Sequence, residues 1–275
     1  MLSRGRASRV SAVLLAALGV LPTSLLRSET IPVRHPEGLL HGFLVLRTLD
    51  GDTIAYGDWI QTAHGDRVTT HLVFRFKDGS THDETAVFRQ RRSFRLLNAH
   101  LVQRGPGFPH PIEMTIDASA GQVTVHYSEE GKEKVATEHL KLPPDVANGT
   151  MVLTLLKNLS SDISETKVSM VAPTPKPRIV KLAMSAEGEE SFTTGATSRK
   201  AKRYLVKVEI GGLTGLVAPL LGKQPADTHV WILDGEAPVF IKSEGPLYLG
   251  GPIWRIELTC PVWSHAPAAD AHSRN

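Results

Sequence analysis

Much of the chain alternates apolar and polar residues with a period of two. In "RVTTHLVFRF" (67–76), Leu72, Phe74 and Phe76 share one side while His71, Val73 and Arg75 take the other. "KDGS" at 77–80 is a turn signal, and "THDETAVFRQ" (81–90) reads as the returning strand of a β-hairpin. The pattern continues through 93–104, 111–119, 121–129 and 132–142, with the short connectors "SAG" and "EEG". Tight turns between such strands predict an antiparallel meander.

The period then changes. In "NGTMVLTLLKNL" (148–159), Val152, Leu155, Leu156 and Leu159 fall at i, i+3, i+4 and i+7, one face of a helix. Asn148 is placed to cap it. Met151 and Leu153 widen the stripe, leaving Thr154, Lys157 and Asn158 as polar relief. So wide a stripe predicts cover on more than one side. Strand-like segments resume at 165–173, 177–188, 190–196, 201–210, 228–234, 237–245 and 251–259. "GGLTGLVAPLLGKQ" (211–224) reads as a short helix or an irregular loop, and "APTPKPR" (172–178) as a linker or a surface turn.

About twelve strands with one or two short helices leave no room for βαβ units. A two-sheet sandwich fills its core with its own sheets and has less need of a helix. The expected fold is therefore mainly β: a long curved antiparallel sheet, an incomplete barrel, wrapped around one short apolar helix.

The first 28 residues stand apart. Arg4, Arg6 and Arg9 precede the apolar run "VSAVLLAALGVLPTSLL", the plan of a secretory signal peptide. The alternative is a retained anchor, although Gly19 and Pro22 interrupt the run and it is short for a span. The chain carries 31 Lys and Arg against 28 Asp and Glu; removing the four leader arginines leaves 27 against 28. The basic balance of the whole chain is thus no nucleic-acid signature. A composition of 41% hydrophobic and 21% charged residues suits a core that needs no disulfides, and Cys260 has no partner for one. The expected layout is a leader at 1–28, one β domain at 38–260 and a disordered polar tail at 264–275. The expected place of action is the periplasm or the exterior, with no stable membrane span expected after the leader is removed.

Motifs for chemistry are sparse. There is no HExxH, phosphate loop or metal-spaced cysteine set. Ser191 and Ser198 lack a nucleophile-elbow context. His71 and His82 flank the 77–80 turn and, with Asp83 and Glu84, could form a metal cluster; the competing reading is outward polar residues on a hairpin. The acid-rich stretches 50–59 and 77–84 suit turns as well as they suit a carboxylate pair. Neither a metal nor a cofactor is expected, and no enzyme activity.

The stretch "GGLTGLVAPLLGKQPADTHVWILDGEAPVFIKSEGPLYLGGPIWRIEL" resembles the closing part of exported bacterial proteins of the DUF3108-like group, which are similar to the LolA-like periplasmic lipid-handling fold. The resemblance rests on the apolar segment, "VWILDG", a strand around "PVF" and "GPIWRIEL". It implies a curved sheet around a helix, with an apolar cavity able to hold lipid. With no cysteine at the end of the leader run, it implies a soluble carrier more than an anchored acceptor.

The expected function is noncovalent binding or carriage of a lipid or other apolar molecule. The expected ligand contacts are Phe74, Phe88, Leu155, Leu156, Trp231 and Trp254, residues that core packing would use equally. The alternatives are a non-enzymatic envelope structural or interaction protein with a protein partner, and a secreted hydrolase using the acidic and histidine residues of 50–84.

Overall fold

The computed structural model describes residues 30–160, 164–194, 196–210 and 225–259. The expected leader and tail, the 211–224 segment, Cys260 and Trp263 lie outside these residues. Fourteen strands form one sheet. The first eight are β1 (Leu40–Thr48), β2 (Thr53–His64), β3 (Arg67–Phe76), β4 (Thr81–Gln90), β5 (Phe94–Arg104), β6 (Ile112–Asp117), β7 (Gln122–Glu129) and β8 (Lys132–His139). After the helix α1 (Met151–Lys157) come β9 (Thr166–Ala172), β10 (Arg178–Thr194), β11 (Thr197–Glu209), β12 (Thr228–Leu233), β13 (Val239–Gly245) and β14 (Trp254–Thr259).

From β1 to β8 each strand pairs with its predecessor. The chain then crosses by way of α1 to the opposite edge, and β9 to β14 walk back until β14 pairs antiparallel with β1. The outer edges, β8 and β9, are not bonded to each other. The sheet is therefore curled but open. Its curl brings Trp59 of β2 edge-on to Phe240 of β13 at 5.9 Å, although β1 and β14 lie between their strands. Gly42 pairs with Trp59 and leaves room beside Leu258; a Cβ there would meet that leucine at 3.1 Å.

The two edges are protected differently. β8, "KEKVATEH", carries exposed charges, a usual guard against edge pairing. β9 is covered by the segment before α1: Val146 bridges Ser169, while Asn148 donates to the Val171 carbonyl at 2.8 Å and accepts from its amide at 3.1 Å. That use of Asn148 corrects the expected cap. Thr150 holds the N-cap position and makes no side-chain cap.

Three other expectations change in detail. The alternation pattern assigns no strand to 40–64, where the structure has β1 and β2, the second running through part of the acid-rich 50–59 stretch. The segments expected at 177–188 and 190–196 run together as one strand, β10 (Arg178–Thr194), whose register shifts between Ala186 and Gly188. The buried side of α1 comprises Met151, Thr154, Leu155, Leu156 and Lys157, so two residues expected as polar relief face inward. No helix among the described residues is long and apolar enough to cross a membrane.

Candidate functional site in the curled interior

Alternation along β4 sends His82, Glu84, Ala86 and Phe88 to the concave side and Asp83 to the convex side. Ala86 and Phe88 join the core, and the His82 side chain is 4% exposed and that of Glu84 16%. The expected His71/His82/Asp83/Glu84 cluster is thereby split. His71 and Asp83 meet on the convex face at 2.9 Å, while His82 and Glu84 lie inside with Nε2 and Oε2 3.8 Å apart. Among the described residues no group of three His, Cys, Asp or Glu side chains is arranged to hold a metal.

The interior is apolar with a polar line running beside α1. At one end, Phe76, Phe108, Tyr248 and Trp254 form a chain of ring contacts with centroids 5.3–6.1 Å apart. Below them Gln103 Nε2 lies 3.1 Å from His82 Nδ1 and donates to the Leu247 carbonyl at 2.7 Å. Glu84 then accepts from the Thr150 amide at 2.5 Å. Gly149 suits this position: its φ is +62°, and a Cβ would run into the Glu84 carboxylate. The Thr70 and Thr150 hydroxyls form the next contact.

At the other end an N-terminal strap seals the helix. Ile31 is buried in the core. The Arg34 and His35 amides donate to Asn158 Oδ1 at 2.8 and 2.7 Å. Glu37 pairs with Lys157 at 2.5 Å, and its second carboxylate oxygen accepts from Gln61 at 2.8 Å. Gln90 fixes the strap backbone, donating to the Glu37 carbonyl and accepting from its amide. Burial of Lys157 is tolerated because its charge is paired in place.

Burial dominates the two titratable groups. Desolvation pushes His82 down from 6.5 to about 4, against the opposing pull of Asp83. Desolvation likewise pushes Glu84 up from 4.5 to about 7, with the Thr150 amide opposing and Asp83 reinforcing it. Near neutrality the interior thus holds an uncharged imidazole and a carboxyl poised between its two forms. Such a carboxyl can donate or accept a hydrogen bond to a guest.

The structure places Phe74, Phe88, Leu155 and Leu156 in the core, with Trp254 packed against it. Leu156 is fully buried, at 0% exposure, so this helix position fills the interior. Trp231 is elsewhere. Its neighbours Val230 and Ile232 belong to the core, and Trp231 faces the other side. There its Nε1 donates to Glu190 at 2.7 Å, and Lys242 Nζ stands 3.8 Å from the ring centroid. It lines an open cleft of about 270 Å³ with Phe192, Lys242 and Glu257. Of the stretch 50–84, His82 lies beside Glu84, but Asp58 pairs outward with Arg75 at 3.4 Å and Asp78 accepts from the Ser80 amide at 2.8 Å within the turn.

The sequence pattern did not single out Glu84, Trp59 or Gln61, or the helix's own Thr154 and Lys157, as interior groups. For Glu84 a signal existed, because it shares its parity on β4 with Phe88. No family model matches the chain, and no curated protein does. The DUF3108-like and LolA-like resemblance therefore rests on the quoted residues alone. The chain is similar to a crystal structure of a β-barrel-like protein of domain of unknown function DUF1849 from Brucella abortus. The identity is 10% and the TM-score 0.48, with 82% of this chain and 98% of that one covered.

Proposed function

We propose that the protein is exported to the cell envelope and binds a lipid or another apolar molecule noncovalently between α1 and the concave face of its sheet. The observation that carries this reading is the open curl. An apolar interior is wrapped by a sheet whose edges, β8 and β9, are not joined, so the wrap can widen without breaking a ladder hydrogen bond. Burial of an acyl chain supplies the affinity, about 25 cal/mol per Å² before ordering costs. In the closed conformation Leu155 and Leu156 occupy the interior, so a guest enters by displacing the helix. No covalent step belongs to this reading.

Full burial of Met151 and Leu156 also favours a second reading, a structural or interaction protein of the envelope with a permanently filled core. Native mass spectrometry separates the two. Protein expressed with export to a periplasm is expected to carry lipid masses, or to take up lipid when it is added. Repeated absence of both leaves the filled-core reading standing.

A further inference from the structure

The seam between α1 and β2–β3 holds buried hydrogen-bonding atoms that no protein group meets. Trp59 Nε1, Gln61 Oε1 and Thr154 Oγ1 lack a partner among the described residues, and all three side chains are at least nine-tenths buried. Fewer than about one buried polar group in ten goes unpaired in folded proteins, so three in one seam call for a reason.

The register gathers them. Trp59 and Gln61 are two residues apart on β2, on one face and about 7 Å from each other. Gln61 pairs with Thr70, whose hydroxyl meets that of Thr150. Thr154 lies one turn beyond Thr150 on the same side of the helix. Three residues further, Lys157 meets Glu37, which in turn accepts from Gln61. The helix is tied to the sheet on both sides of Thr154, which sets its hydroxyl in the seam between the ties. Trp59 packs on Phe240 of β13, the strand against which α1 also lies.

The unmet atoms define a complementary head group. Trp59 offers a donor, Gln61 an acceptor and Thr154 both. Lys157 and Glu37 already neutralise each other, so a carboxylate or phosphate would be desolvated there without a free counter-charge. We infer that this seam receives the uncharged polar head of a single-chain lipid of the monoacylglycerol class. The acyl chain lies along Phe74, Phe88 and Leu155 once α1 has shifted. The inference rests on the apolar-binding reading above and names its ligand.

The test uses the full chain with 1-monooleoylglycerol, oleate and the apolar dye N-phenyl-1-naphthylamine as probes. Wild type is expected to bind monooleoylglycerol about tenfold more tightly than oleate, the value of about one hydrogen bond. Thr154→Val and Trp59→Phe each remove that preference while dye uptake persists, and Thr154→Ser keeps it. Equal binding of the two lipids, or a preference untouched by Thr154→Val, overturns the inference and leaves apolar binding intact. Failure of wild type to take up any of the three probes overturns both.

Discussion

Trp59 and Trp231 are the same side chain in similar settings, buried in the middle of a strand, and they differ in what meets the indole N–H. Trp231 donates to Glu190 and is overlaid by Lys242. Trp59 sits edge-on to Phe240, and its N–H finds no partner among the described residues. The convex site is finished by its own chain, and its cleft is lined by paired charges such as Glu257, which meets Arg47 at 3.3 Å. The concave site is apolar, sealed and short of partners. A finished polar site has less to gain from a ligand than one with unmet donors and acceptors. The contrast directs attention to the seam under α1.

The largest expected effect tests what keeps that seam shut. Lys157 and Glu37 form a buried pair linking the helix to the strap. Lys157→Ala leaves the Glu37 carboxylate buried without its cation and should cost about 3–5 kcal/mol in urea unfolding. The double change Glu37→Gln with Lys157→Met should recover most of that loss. If Lys157→Ala costs less than about 1 kcal/mol, the strap does not hold the helix.

A second expectation concerns Glu84 and His82. His82 is lowered on folding, so the unfolded chain binds its proton between about pH 4 and 6.5, and stability from this group rises with pH in that window. Glu84 is raised, so the folded chain holds its proton between 4.5 and about 7, and stability from this group falls with pH there. The two slopes cancel between 4.5 and 6.5. Glu84→Gln removes only the falling one. Relative to wild type, that variant should gain stability with rising pH by about 1.4 kcal/mol per unit across 4.5–6.5. The check is a set of urea midpoints at four pH values. A constant difference between variant and wild type would show that Glu84 is not held protonated by the interior.

Most of the sheet was legible because alternation is a local signal. Residues 67–76 and 81–90 are strands at the expected limits, and a short helix with a curved antiparallel sheet, among the described residues, matches the fold read from the pattern. The polar line was not legible, for two reasons. A position is judged polar by its side chain, yet Thr150 and Lys157 turn inward because Thr70 and Glu37, 80 and 120 residues earlier in the chain, lie opposite them. No window of sequence contains both members of either pair. The histidine cluster failed for the opposite reason. Nearness in sequence joined His71, His82, Asp83 and Glu84, whereas the pleat sends alternate residues to opposite faces. Trp231 shows the limit of composition, since parity with Val230 and Ile232 would have separated it from the core contacts.

The smallest expected effect probes the finished side. Lys242 stands over the Trp231 ring on the convex face and also reaches Glu244 at 3.5 Å. Its ammonium is partly exposed, so solvent screens the ion pair, and what remains is mainly attraction to the ring. Lys242→Ala should destabilise by about 0.5–1 kcal/mol and leave lipid and dye uptake unchanged. Thr154→Val inside the seam should do the reverse: it removes an unmet hydroxyl, so stability rises by about 1 kcal/mol while head-group preference is lost. Opposite signs in both readouts, measured side by side, follow only if one region is complete and the other awaits a partner. If Lys242→Ala abolishes uptake while Thr154→Val lowers stability, the roles of the two faces are exchanged, and the convex cleft becomes the place to look for the ligand.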